Sequence, residues 1–246
     1  MGIFFSADQH FGADENSWKY RYRPFDSPQE ADSQMAKLWN KYITNDDIVY
    51  HLGDFAIKDD AIGKFIKKLN GKEIILIVGN HDYKRDQDIL LSYFTAVYYK
   101  PFELEFDKKY DIHNEGNSLW LCHYPLQRHE KLYTCTGHIH SLWQIAKRMI
   151  NVGVDANHFR PVSLEQVLSS RHSEKVGHWD ANVYPDADIN WQIEVSTKIK
   201  RDETGNEPTL DILRKKSGHI SREEEKEQLK PFSGDHPKIR IRNGKS

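Results

Sequence analysis

Metal-ligating side chains recur in short clusters along the first part of the chain. Asp8-Gln9-His10, Gly53-Asp54, Gly79-Asn80-His81-Asp82, His123 and Gly137-His138-Ile139-His140 follow one another in that order. Together they offer carboxylates, an amide oxygen and imidazoles, a mixed donor set that suits a transition metal such as Mn, Fe, Zn or Ni. The set has no thiolate, which argues against a structural zinc site. In an extended segment residues i and i+2 face the same side, so Asp8 with His10, and His138 with His140, are expected to chelate as pairs. Taken singly, each residue has a plainer role: Asp8 and Asp54 as caps or turn residues, Asn80 as a turn residue, the histidines as core or solvated loop residues. The ordered series outweighs these readings, because the first three clusters stand where predicted strands end and open α/β sheets gather their sites at that edge.

The elements that must position these residues are legible as alternating apolar runs and caps. Ile3 to Ala7 reads as a short buried strand ending at Asp8. Ser27-Pro28-Gln29-Glu30 reads as a helix start, with Ser as N-cap and Pro at the first position, and Met35, Leu38, Trp39 and Tyr42 continue at helical spacing. Asp47 to His51 is a second strand closed by Gly53, Asp60 to Leu69 a second helix stopped by Asn70-Gly71, and Ile74 to Val78 a third strand closed by Gly79. Strand, helix, strand, helix, strand is the pattern of a mostly parallel sheet with helices on it. Beyond residue 95, short segments around 97–106, 109–113, 118–122, 132–136 and 148–154 predict a second, more antiparallel sheet. Ser163-Leu164-Glu165-Gln166 is a capping box opening a short helix toward Ser170.

From about residue 173 the chain becomes more charged. Trp191, Ile193, Val195, Thr197 and Ile199 alternate with polar residues as a half-buried strand would. Residues 221–230 read as a charged helix, and 231–246 as a frayed end. The expected organisation is a catalytic domain over residues 1–172 and a charged, partly ordered C-terminal extension over 173–246.

Composition narrows the function classes. Lys and Arg number 35 against 37 Asp and Glu, a formal net charge of -2, so no global field draws the chain to nucleic acid or an anionic membrane. The strongest apolar run, Ile74 to Val78, is far short of the roughly 20 residues a spanning helix needs. No basic leader opens the chain and only Cys122 and Cys135 are present, which is too few for a disulfide framework. A reducing, cytoplasmic setting is expected, with both cysteines as small buried residues. The sequence has no Walker-type loop, dinucleotide fingerprint or His-Glu-x-x-His helix.

The five clusters in this order resemble the calcineurin-like metallophosphoesterases. The likeness covers roughly residues 1–170 and is nearest a compact bacterial and phage branch, through Arg23-Pro24-Phe25, His51-Leu52-Gly53-Asp54-Phe55-Ala56, Cys122-His123-Tyr124-Pro125-Leu126 and Asn151-Val152-Gly153-Val154-Asp155. The resemblance implies an α/β fold, a two-sheet β-sandwich flanked by helices (αββα), with metals at one end. It implies two divalent ions, manganese first among Mn, Fe, Zn and Ni. Asp8, His10, Asp54 and His140 would hold one and Asp54, Asn80, His123 and His138 the other, with Asp54 shared. It implies hydrolysis of a phosphate ester by a hydroxide bridging ions about 3.5–4 Å apart, with His81 as general acid. Many members carry an acidic residue three positions after the Gly-Asp aspartate. This chain has Ile57 there, so Asp82 or a more distant carboxylate is expected to orient His81.

For the substrate, Trp18-Lys19-Tyr20-Arg21-Tyr22-Arg23 mixes cations and aromatics soon after the first ligand pair. Arg23 is expected on a phosphate and Tyr20 or Tyr22 on a base; an ordinary loop covering the sandwich edge is the alternative. The expected partner is a phosphomonoester or phosphodiester, small nucleotides among the candidates. A nuclease acting on DNA or RNA is the second enzyme reading, kept open by the basic loop and by Lys238, Arg240, Arg242 and Lys245. A non-catalytic binding scaffold is the third, and the complete set of ligand types weighs against it.

Overall fold

A computed structural model of the chain describes residues 1–17, 23–112, 114–141, 143–146, 148–172 and 238–241. The first sheet begins with β1 (Ile3–Ser6), β2 (Ile48–His51), β3 (Glu73–Ile77) and β4 (Ala96–Tyr98), all parallel, and β10 (Val162–Ser163) lies antiparallel beside β1. Its order is β10-β1-β2-β3-β4. The crossovers carry α1 (Pro28–Tyr42), α2 (Asp59–Ile66) and α3 (Gln87–Tyr93). The second sheet has the order β11-β5-β6-β7-β9-β8, from β5 (Phe102–Glu105), β6 (Ser118–Leu121), β7 (Tyr133–Thr136), β8 (Ile145–Ala146), β9 (Met149–Asn151) and β11 (Lys238–Arg240). A last helix, α4 (Leu164–Ser170), follows β10 directly.

The period-2 rule explains how the layers stack. On β2, Ile48 and Tyr50 enter the core between the sheets while Val49 faces the helices; on β3, Ile75 and Ile77 go inward while Ile74 and Leu76 go outward. Strands buried on both faces read as continuous apolar runs, which is why β3 stands out so clearly in the sequence. Phe102, Leu104, Leu119, Leu121, Cys135 and Ile150 close the inter-sheet core from the other side. Met35 and Trp39 of α1, and Ala61, Ile62 and Phe65 of α2, cover the outer face of the first sheet. The architecture is the expected α/β two-sheet sandwich with flanking helices.

Local chemistry explains the caps. Ser27 accepts from Glu30 N at 3.0 Å with Pro28 at the first turn, and the Ser163/Gln166 capping box forms in full. Four expectations are corrected. Of the strand expected at 109–113, the described residues 109–112 form none: Lys108–Tyr110 is a 3-10 turn capped by Asp107. Residues 96–98 join the first sheet rather than the second, because α3, unmarked by a strong apolar period, returns the chain to β3. The second sheet is mixed, with β6-β7, β7-β9 and β11-β5 parallel. Residues 238–240 are paired with β5 rather than frayed, and Lys238 bridges Glu103 and Glu105 at 3.0 and 2.9 Å. The expected strand at 191–199 and helix at 221–230 lie outside the described residues, as do Tyr20 and Tyr22.

Candidate metal centre

The candidate ligands converge from both sheets. Asp8 and His10 follow β1, Asp54 follows β2, Asn80 follows β3, His123 follows β6, and His138 and His140 follow β7. Parallel strands deliver their carboxyl ends to one edge, and the sandwich brings the two edges together. The ladder continues past the strands: Asp8 N donates to Gly53 O and His10 N to Asp54 O, both at 3.0 Å.

The backbone at these residues is not the extended chain expected from the i, i+2 argument. Asp8, His10, Asp54, His138 and His140 have φ of 63°, 51°, 58°, 73° and 51°. All five sit in the left-handed region that costs an L-residue energy and that clusters at functional sites. The pairs converge because the chain turns sharply at each candidate ligand, not because a strand alternates. Two glycines make room. Gly53, at φ +91°, would put a Cβ 2.6 Å from His123 Nδ1, and a Cβ on Gly153 would lie 2.7 Å from Asp8 Oδ2.

Ligand atoms of Asp8, His10 and His140 lie within 4.8 Å of one another, as do those of Asp8, Asp54 and His123, and those of His10, Asp54 and His81. Asp54 Oδ2 is 3.6 Å from His10 Nε2 and 3.7 Å from His123 Nε2. Asn80 Oδ1 lies 3.1 Å from both His123 Nε2 and His138 Nδ1.

These residues fit a cation. His123 Nδ1 donates to Leu52 O at 2.6 Å, which leaves its Nε2 lone pair facing the oxygens of Asn80 and Asp54. Burial pushes His123 down to about 4, so the ring stays neutral and cannot resolve this meeting of acceptors. Asp8 Oδ1 is buried without a hydrogen-bond partner. Burial, then Asp54 and Asp155, holds the Asp8 carboxyl well above its usual range. Converging lone pairs and buried carboxylates carry a cost that a bound cation removes.

Around the candidate ligands lie residues to which the sequence reading gave no role of their own. Asp155 Oδ2 accepts from His140 Nδ1 at 2.6 Å, directing Nε2 inward as carboxylates do behind metal-binding histidines. Asn151 Nδ2 donates to His140 O at 2.7 Å. Gln9 bridges Ser6 and His51. Arg85 reaches His81 O, Ala56 O at 2.9 Å and Asp59 at 2.7 Å, locking the turn that carries His81. The signal for Asp155 was an acid in the otherwise apolar stretch Val152-Gly153-Val154; for Arg85 there was none.

Two assignments change. Asp82 does not orient the His81 ring. Its Oδ2 accepts from Asp54 N at 2.6 Å and Gly79 N at 3.1 Å, and its Oδ1 from Arg85 at 3.3 Å. It ties the β2 and β3 ends together, and burial followed by Asp54 raises its carboxyl to about 6. Arg23 is not poised over the site: only 2% of it is exposed, and its fork is engaged inside the fold with Asp155 and two backbone carbonyls. His81 is half-buried beside the candidate ligands, its ring 4.9 Å from that of His10.

The model of the calcineurin-like phosphoesterases matches residues 3–195. An uncharacterized protein of Methanocaldococcus jannaschii is 28% identical over 188 residues, covering 71% of this chain and 93% of that protein. The Gene 66 protein of a Mycobacterium phage is 26% identical over 188 residues, covering 63% of this chain and 89% of its own. A solved protein of unknown function from Aquifex aeolicus is similar in fold, with a TM-score of 0.53 and 23% identity, covering 68% of this chain and 97% of that one.

Proposed function

The chain belongs to the calcineurin-like phosphoesterase family, and from that footing we propose that it hydrolyses a phosphate ester with two divalent metal ions. The observation that carries this reading is the Asp54 carboxylate, whose Oδ2 stands 3.6 Å from one imidazole and 3.7 Å from another, as a shared ligand would. Asp8, His10, Asp54 and His140 would hold one ion, and Asp54, Asn80, His123 and His138 the other. The oxygen and imidazole donors favour manganese, with Fe, Zn or Ni as substitutes. When bound, such ions lower the pKa of a water nucleophile and neutralise charge on the phosphate oxygens.

The remaining work falls to the protein. His81 is the general acid: a half-buried imidazole beside Asp54 and His10 protonates the leaving alkoxide. Its backbone N–H donates to Asp54 Oδ1 at 2.8 Å, so acid and shared ligand move as one unit. Asp82 and Arg85 hold that unit in place, a positioning role that replaces the direct one expected for Asp82.

For the substrate, a base-bearing phosphate ester is favoured by an aromatic pair next to His81. Tyr83 is 57% and Tyr99 38% exposed, with rings edge-on at 6.4 Å. Tyr83 N donates to Gly79 O, closing the turn that carries Asn80 and His81. Exposed Lys84 and Lys100 flank the two rings in sequence. Stacking faces with adjacent cations suit a nucleotide or a single strand, which keeps the nuclease reading as the alternative. Two free buried thiols, Cys122 and Cys135, fit a reducing cytoplasm. Among the described residues no helix is long and apolar enough to cross a membrane.

The test is hydrolysis of bis-p-nitrophenyl phosphate, p-nitrophenyl phosphate, a nucleoside monophosphate and a short single strand, with metals removed and Mn, Ni, Zn or Mg restored singly. Metal-dependent release lost in Asp54→Asn is the expected result. Absence of release from all four substrates with every metal would overturn it.

A further inference from the structure

The two halves of the centre are fastened differently. On one side a single buried arginine gathers three groups. Arg23 donates through Nε to Asp155 Oδ1 at 2.8 Å and through Nη2 to Asp155 Oδ2 at 3.1 Å. The same guanidinium donates to Asp8 O at 2.6 Å and to Gln9 O at 2.7 Å. Asp155 Oδ2 accepts in turn from His140 Nδ1 at 2.6 Å. The fork therefore grips the turn that holds Asp8 and His10 in left-handed conformations, and the carboxylate behind it aims His140. Phe159 packs 5.9 Å from the guanidinium carbon, and Met35 Sδ lies 3.6 Å from Nη1, so the arginine sits in an enclosed, weakly screening setting. Bidentate pairing of this kind fixes geometry as well as charge.

The other half is fastened by other groups: Asp82 accepts from Asp54 N and Gly79 N and pairs with Arg85 at 3.3 Å. His123 is aimed by Leu52 O, and its carbonyl accepts from Thr136 Oγ1 at 2.8 Å. Asn80 meets His123 and His138 side chain to side chain. Neither Arg23 nor Asp155 hydrogen-bonds to any of these three.

We propose that Arg23 and Asp155 are positioning residues that set the affinity of one ion only, the one held by Asp8, His10 and His140. The inference rests on the two-ion reading above. It makes the two ions separately braced: Arg23 and Asp155 stand behind one, while Asp82 and Arg85 hold the strand ends that lead to the other. Loss of a partner behind a metal-bound histidine typically weakens binding by about 10–100-fold. Removing the Asp155 charge should weaken one of two binding steps by that factor and spare the other. General loosening of the fold would weaken both.

The test is titration of the metal-stripped full chain with Mn2+, followed by calorimetry and by the electron paramagnetic resonance signal of the coupled pair. The parent should take up two ions. Asp155→Asn should keep one step unchanged, weaken the other about 10–100-fold, and show the uncoupled one-ion signal at metal levels that saturate the parent. Arg23→Lys, which keeps the charge and loses the fork, should weaken the same step by a smaller factor, and it decides the matter if Asp155→Asn does not fold. Unchanged binding in the folded variants, or equal weakening of both steps, overturns the inference while leaving the phosphoesterase reading standing. A parent that binds no ion overturns both.

Discussion

His81 joins residue type and local geometry in the role proposed for it. Its backbone is tied to Asp54 and its carbonyl to Arg85, while its ring stands within metal-ligand reach of His10 and Asp54. A proton donor matters most when the leaving group is a poor one. His81→Ala should keep metal uptake and lose about 100-fold or more of kcat on an alkyl phosphate ester, within the usual range for general acid catalysis. The loss should be much smaller on a p-nitrophenyl ester, whose phenolate leaves without a proton. Steady-state rates on the two esters check this, and equal rates to the parent on both would remove His81 from the mechanism. The candidate ligands at this scale were readable because carboxylate, amide and imidazole types are explicit in a sequence. Their left-handed backbone was not, since nothing in an Asp or His announces φ near 60°. Arg23 was misplaced for a related reason: a cation in a polar loop has the same composition whether it folds outward or inward, and only the half-buried Asp155, far away in sequence, decides between them.

Elements were legible where capping chemistry was explicit. Ser27-Pro28 marked the start of α1, and Ser163 to Gln166 marked α4, and both form as expected. The helix α3 escaped notice because it is only seven residues long and among them buries only Leu90, too little for an apolar period to show. The capping box of α4 has a further consequence. Ser163 is also the last residue of β10, paired with Phe4 of β1, so one side chain secures the helix and the flank of the strand that leads to Asp8. Ser163→Ala removes the Oγ that accepts from Gln166 N at 3.3 Å and should cost about 1 kcal/mol. Urea unfolding of the metal-free protein should show a lower midpoint with an unchanged slope. A midpoint equal to the parent's would mean that the Gln166 side chain, donated to by Ser163 N at 2.8 Å, holds the turn alone.

For the whole molecule, buried titratable groups make metal-free stability depend on pH with opposing signs. His51, the last residue of β2, is fully buried against the turn after β1, its Nε2 at 2.5 Å from Gln9 Oε1. Burial, then His123, pushes it down to about 3. The unfolded chain takes up a proton near 6.5 that the folded protein refuses, so His51 favours folding above that pH, and this contribution is lost as pH falls toward 3. Asp32 works the other way. Burial raises it to about 6, so the folded state gains stability as pH falls from 6 toward 3.8. The total curve mixes these terms, and a difference measurement separates them. His51→Gln keeps an N–H donor for Gln9 and removes the titration, while Asp32 is common to both proteins and cancels. At pH 7 the variant should be the less stable of the two. Between pH 6.5 and 4 the gap should close by up to about 3 kcal/mol, at about 1.4 kcal/mol per pH unit. Thermal melts in EDTA across that range check it, and a constant gap would mean that His51 titrates in the folded protein as it does in the unfolded chain.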